Sequence, residues 1–206
     1  MQPFSVYVEF DAADVSPDTY ADLFDTVQDK HGAVGPTDSG HLSVRLTINA
    51  DSVRQAVALG IEYAQAAVTA YDIGPTVTAV EVLTETESDR RLTDEDLEEV
   101  EPREASAGAR DTSGPFSVYV EFDAADVSPD TYADLFETLR DVDGAAGPAP
   151  NGNLSVRLTI QAESIVQAAK LGIQYAQAAA TALDITPDVI GMKSAVTTEH
   201  PRRPMR

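Results

Sequence analysis

Pro3–Phe24 reads PFSVYVEFDAADVSPDTYADLF, and the same residues recur without a change as Pro115–Phe136. The offset of 112 then holds without a gap through HLSVRLTINADSVRQAVALGIEYAQAAVTA (His41–Ala70) and NLSVRLTIQAESIVQAAKLGIQYAQAAATA (Asn153–Ala182). Similarity fades only after Val77 and Val189. Self-similarity at one fixed period signals copies of a single structural unit. The fold therefore reduces to reading one copy.

Within the quoted stretch, Phe4, Val6, Val8 and Phe10 alternate with Ser5, Tyr7 and Glu9. A period of two places one apolar strand face against a core. Ser16 suits a helix N-cap, Pro17 the first helical position, and Asp18 the positive end of the helix dipole. Tyr20, Leu23, Phe24 and Val27 then mark one face of a first helix, and Gly32 ends it. Ala33–Pro36 reads as a short second strand. Asp38-Ser39-Gly40, replaced by Pro150-Asn151-Gly152 in the second copy, reads as a hairpin turn. Pro36 and Pro148 cannot donate to a ladder, so this strand belongs on a sheet edge. Leu42, Val44, Leu46 and Ile48 give a third strand its buried side and leave Ser43, Arg45 and Thr47 on the other.

From Asp51 to Asp72 the spacing turns helical, with Val53, Val57, Gly60, Ile61, Ala64, Ala67, Val68 and Tyr71 on one broad face. The small Gly60, Ala64 and Ala67 permit close approach to a sheet or another helix. Pro75 stops the helix, and Thr78, Val80 and Val82 suggest a last strand. The order βαββαβ predicts an α+β fold of two tandem ferredoxin-like domains, each an antiparallel sheet of order 4-1-3-2 with both helices on one face. The expected division is repeat 1 over 1–88, an acidic flexible linker over 89–114, repeat 2 over 115–199, and a basic disordered tail over 200–206.

The formal charge is −21, and residues 3–88, 89–114 and 115–206 carry −11, −5 and −5 of it. Acid excess in every part of the chain repels phosphate backbones, so direct nucleic-acid binding is not expected and a cationic protein is the easier electrostatic match. Acidity also serves plain solubility. No window reaches the roughly 20 apolar residues of a membrane span, and Met1–Phe10 lacks the pattern of a signal peptide, so a cytoplasmic protein with no membrane partner is expected. Cysteine is absent, which removes thiolate nucleophiles and thiolate metal sites.

Motifs of catalysis are missing: there is no Gly-rich phosphate loop, zincin helix, nucleophile elbow or calcium loop. His31 and His41 lie near Asp29 and Asp38, but Asp143 and Asn153 replace the histidines in the second copy, so both read as surface residues. The carboxylates Glu9, Asp11, Asp14 and Asp18 read as turn and cap residues, and Asp14 and Asp126 as strand-to-helix loop residues. No enzyme activity, metal or cofactor is expected.

The candidate site is instead the polar face of the sheet. Tyr7, Glu9, Arg45 and Thr47 lie there, as do Tyr119, Glu121, Arg157 and Thr159 of the second copy. Tyr and Arg are favoured anchors of protein interfaces. Glu81 and Lys193 join them from the diverged last strand, the natural place for the copies to acquire different neighbours. The expectation is that the copies pair, sheet to sheet or edge to edge, into an intramolecular pseudo-dimer. A solvated face in which Tyr7 and Arg45 stack without further role is the plainer alternative. An RNA-recognition role founders on the single aromatic and single base per central face.

The runs HGAVGPTDSGHLSVRLTINADSVRQAVALGIEYAQAA (31–67) and AVEVLTETESDRRL (79–92) together resemble the N-terminal α+β domain of small actinobacterial proteins that carry an excisionase-like helix-turn-helix after that point. The resemblance covers residues 3 to about 92 and 115 to about 187. It implies an accessory, oligomerising or sensing domain attached to a DNA reader, with no chemistry assigned. Here an acidic linker and a second copy stand where the helix-turn-helix would begin, which argues against direct DNA contact. The expected function is a non-enzymatic interaction or oligomerisation module that associates with itself or with homologous single-copy domains. A small-molecule-sensing regulatory domain is the alternative, and an enzyme of unknown type comes third.

Overall fold

In the computed structural model, residues 1–95, 114–185 and 188–196 are described. The first repeat runs β1 (Gln2–Ala13), α1 (Pro17–Val27), β2 (Ala33–Pro36), β3 (His41–Ala50), α2 (Val53–Thr69), β4 (Val77–Thr84) and α3 (Glu85–Glu95). The second runs β5 (Gly114–Ala125), α4 (Pro129–Leu139), β6 (Ala145–Pro148), β7 (Asn153–Ala162), α5 (Ile165–Ala182) and β8 (Val189–Val196). The fold is α+β, and all eight strands form one antiparallel sheet in the order β2-β3-β1-β4-β8-β5-β7-β6. Most of the linker inferred for 89–114, beyond the end of α3, and the tail inferred for 200–206 lie outside the described residues.

Local chemistry sets the element ends. Ser16 and Ser128 accept a hydrogen bond from the backbone N–H of Thr19 and Thr131, three residues on. Asp14 and Asp126, just before these caps, hold φ of 57° and 58°, a left-handed conformation that Asp tolerates better than most residues. After α1 the chain tightens into a 3-10 turn, His31 takes φ 48°, and the Gly32 N–H returns to the Val27 carbonyl at 3.1 Å. A Cβ on Gly32 would meet Val27 Cγ2 at 2.6 Å, so the helix stop requires glycine for space. In the hairpins Gly40 and Gly152 sit at φ 80° and 84°, where glycine is the residue at ease. Pro36 and Pro148 end β2 and β6, which form the two outer edges of the sheet.

One apolar assignment needs correction. Leu23 and Val27 are buried, but Phe24 is 43% exposed and its counterpart Phe136 is 50% exposed. Successive helical residues are rotated by about 100°, and the buried arc of α1 centres on Leu23, Val27 and the half-buried Tyr20, so Phe24 falls at its rim. The α2 face is as expected: Val53, Val57, Gly60, Ile61, Ala64, Ala67 and Val68 are all buried. At Gly60 and Gly172 a Cβ would come within 2.4 Å of Val6 Cγ1 and Val118 Cγ1, so the long helices lie against the central strands with no room for a methyl.

The repeats do not keep separate cores. β4 pairs with β8, bringing Ala79, Val80, Glu81, Val82 and Leu83 opposite Ala195, Ser194, Lys193, Met192 and Gly191. On the helical side α2 touches α5, and the buried apolar residues of both repeats form one contiguous cluster. Of the two pairings expected, edge to edge is realised and sheet to sheet is not. The seam carries a polar imperfection: the Ser194 hydroxyl is fully buried and has no hydrogen-bond partner among the described residues.

Candidate functional site

Because register is kept across the seam, side chains that the sequence separates by more than a hundred positions fall into one line. Ala33, Arg45, Tyr7, Glu81, Lys193, Tyr119, Arg157 and Ala145 are successive Cα partners across all eight strands. At about 4.8 Å per strand the line spans roughly 34 Å. Odd-numbered residues of β1 and β4 share the face opposite the buried Val6, Val8, Val80 and Val82. The line therefore crosses the polar face of the sheet.

Flanking rows complete this face. Ser43, Glu9, Ala79, Ala195, Ser117 and Thr159 form one, and Thr47, Ser5, Leu83, Gly191, Glu121 and Ser155 the other. All ten residues singled out in the sequence thus lie on one surface, six of them in the central line. Their charges balance: Arg45, Arg157 and Lys193 stand against Glu9, Glu81 and Glu121, in a chain whose net charge is −21.

Repeat 1 shows the local electrostatics. The Arg45 guanidinium lies over the Tyr7 ring at 5.9 Å from its centroid, a cation–π distance. Burial pushes the Tyr7 phenol above its usual pKa; the Ser43 hydrogen bond and Arg45 oppose this, while Glu9 and Glu81 reinforce it. The Glu9 carboxyl is also pushed up, first by burial, against the pull of His41 and Lys193. Lys193 thus acts on Glu9 from the other repeat.

The two halves of the face differ. Glu9, Ala79 and Ala195 are half-buried, whereas Leu83, Gly191 and Glu121 are buried, Glu121 being only 1% exposed. Asn151 Nδ2 donates to Glu121 Oε1 at 2.5 Å, and Ser39, its counterpart in the first hairpin, bonds Thr37 instead. Sequence reading missed this contact and the burial of Leu83. The Pro150-Asn151-Gly152 turn was a signal for Asn151, but its thirty-residue reach to Glu121 needed the three-dimensional register.

A cavity of about 600 Å³ opens on the helical side between the repeats. The start of α2 (Ser52–Arg54), the end of β4 (Thr84), α5 (Ile173, Gln177) and the stretch Asp188–Ile190 line it. His31 and His41 stay apart from any cluster of three metal-binding side chains among the described residues. No helix among them is long and apolar enough to cross a membrane.

No family model matches the chain, and no curated protein does. Among solved structures, a microcompartment protein from Desulfitobacterium hafniense DCB overlays 97% of this chain and 97% of its own at 12% identity, with a TM-score of 0.27. A candidate glycine cleavage system transcriptional repressor overlays 95% of this chain and 98% of its own at 13% identity, with a TM-score of 0.21. Likenesses at these scores carry no argument about this chain.

Proposed function

We propose that this chain is a non-enzymatic association module: a duplicated ferredoxin-like domain whose repeats act as an intramolecular pseudo-dimer, accessory to a transcriptional regulator of the kind its sequence resembles. The observation that supports this reading is the β4–β8 ladder, which joins the most diverged strands and sets Glu81 against Lys193. Opposite charges facing each other across a ladder are favourable, whereas two copies of Glu81 would repel. The divergence of the last strand then has a physical purpose. It makes the seam prefer repeat 1 with repeat 2 over either repeat with itself.

Beyond the seam, the contact surface proposed for a partner is the polar sheet face. Its balanced charge and its Tyr–Arg pairs suit packing against another protein, including the homologous single-copy domain, better than the acidic remainder does.

The absence of cysteine makes the test clean. Cysteines at positions 81 and 193 (E81C with K193C) should crosslink within one chain on mild oxidation, since directly opposed strand residues meet disulfide geometry. The pair Y7C with Y119C, three strands apart at about 14 Å, should not. Crosslinking of the tyrosine pair without the seam pair would refute the arrangement. Partner capture is then compared between the intact chain and the Tyr7→Ala/Tyr119→Ala variant, and equal capture would remove the polar sheet face from the proposal.

The cavity between the repeats favours a second reading, a small-molecule-sensing regulatory domain. Reproducible thermal stabilisation by a metabolite, lost on Gln177→Ala, would support it.

A further inference from the structure

Resting on the β4–β8 seam of the proposed pseudo-dimer, we infer that the same seam forms between two copies of this chain. Repeat 1 of each copy takes repeat 2 of the other, which gives a closed dimer of two eight-stranded sheets.

Connectivity at the seam points to this. Thr84 ends β4 and Gly114 opens β5. Both strands are antiparallel to β8, which lies between them, so they run parallel to each other. Leu83 is level with Gly191 and Glu121, so Gly114 lies about 24 Å back along the strands at roughly 3.4 Å per residue. Parallel strands of one sheet need a crossover over one of its faces.

The face such a crossover prefers follows from the repeat itself. β3 and β4 are also parallel, each antiparallel to β1, and α2 joins them on the helical face. The steps from β3 to β4 and from β4 to β5 run the same way across the sheet. A β4–β5 connection of the same hand therefore needs the same face as α2, and about 98% of such crossovers share the right hand. That space is filled. α2 touches α5 over the seam, and a Cβ on Gly60 or Gly172 would already strike Val6 or Val118, so neither helix leaves a gap above the strands. α3, the first stretch of the connection, touches β4 and β1, which leads away from β5.

Exchange removes the conflict. When the β8 and β5 beside β4 belong to a second copy, β4 is no longer joined to the β5 next to it. Both seams of the dimer keep Glu81 opposite Lys193 and the contact of α2 with α5. Each sheet still ends in β2 and β6, short and proline-ended, so assembly closes at two chains. The seam is also the ladder most easily opened. It is in register only from Ala79 to Leu83, whereas β1 and β3 match from Gln2 to Glu9, and it buries the Ser194 hydroxyl, which has no partner among the described residues.

The test mixes chains carrying Glu81→Cys with chains carrying Lys193→Cys, opens them in urea, refolds them and oxidises mildly. A tether favours in-chain pairing below an effective concentration on the order of millimolar, so refolding is compared at about 1 µM and about 500 µM. A covalent heterodimer should form at the higher concentration, at a yield at least tenfold above that at the lower. Glu81→Cys chains oxidised alone should give far less dimer, because like strands do not meet. Sedimentation of the unsubstituted protein refolded at the higher concentration should show monomer and dimer and nothing larger. If the in-chain double variant E81C/K193C crosslinks but the mixture gives no heterodimer at either concentration, exchange is refuted and the seam stands. If neither crosslinks, the seam falls and this inference with it. Equal dimer from Glu81→Cys chains alone, or a purely monomeric unsubstituted protein, would also overturn it.

Discussion

Replacing Gly60 by alanine sets two physical effects against each other. Alanine favours a helix interior over glycine by about 1 kcal/mol, so on a free helix face Gly60→Ala would stabilise. Here the new Cβ would stand 2.4 Å from Val6 Cγ1, 2.9 Å from Val6 Cβ and 3.1 Å from Val6 Cγ2. Carbon atoms pack comfortably at about 3.5–4.0 Å, so α2 and β1 must separate by more than about 1 Å along the layer that both repeats share. Overpacking typically costs about 1–3 kcal/mol, and a clash this deep belongs in the upper half of that range. The net expectation is a loss of about 1–2 kcal/mol. In a chain of 206 residues that unfolds as one unit, this lowers Tm by roughly 2–8 °C. Scanning calorimetry is the assay, with Val6→Ala as the partner variant. Removing the two γ-carbons relieves the closest contact, so Gly60→Ala should cost about 1 kcal/mol less in that background, well outside ordinary additivity error. Gly35→Ala, with nothing within 4 Å, is the neutral control. A rise in Tm, or a coupling below about 0.3 kcal/mol, would refute the close-approach argument. Two calorimetric transitions, only one of them moved, would show that the shared sheet does not unfold cooperatively.

Ser194→Ala removes a buried hydroxyl that has no partner among the described residues; chemical denaturation should show a gain of about 1 kcal/mol, since such a group carries its desolvation cost uncompensated. Glu9→Gln tests the raised carboxyl pKa. In the folded state Glu9 holds its proton more tightly than in the unfolded chain, so its contribution is fully present below the unfolded pKa and is lost as pH rises through the folded value. The Gln variant should therefore melt above the unsubstituted protein at pH 7, and the difference should vanish below about pH 4, near the unperturbed carboxylate value. Asn151→Ala removes a donor to a carboxylate that is 1% exposed; a loss of about 1–3 kcal/mol is expected, whereas Ser39→Ala in the other hairpin should be nearly silent.

The sequence made the interior of each repeat legible because periodicity there is enforced by burial. The alternation of Phe4, Val6, Val8 and Phe10, the broad apolar face of α2, and the Pro36 and Pro148 edges all follow from a side chain's need for a core or a backbone's lack of a donor. Phe24 was misread because a helix rim looks the same as a helix face at single-residue spacing. The ten candidate residues were found as a polar strand face, but their alignment was not. Which edge joins which is a contest between β2 and β4, and register across a seam depends on a pairing that no local pattern encodes. Glu81 facing Lys193 was visible only as a change of sign between copies.

That contest can be argued after the fact from the edges themselves. β2 is four residues long and ends in proline, so it offers few donors to a neighbour. β4 is eight residues with no proline and carries Val80 and Val82 on its buried side. In an isolated repeat β4 would be a long, flat, apolar-backed edge, the feature that invites open-ended pairing. A tandem repeat closes two such edges on each other and leaves β2 and β6, both short and proline-ended, at the rims. On the proposed pseudo-dimer reading, the duplication limits edge pairing to the two repeats. A Pro36→Val/Pro148→Val variant, restoring donors at both rims, is expected to self-associate with concentration in sedimentation experiments, and a variant that remains a single species would show that strand length alone guards these edges.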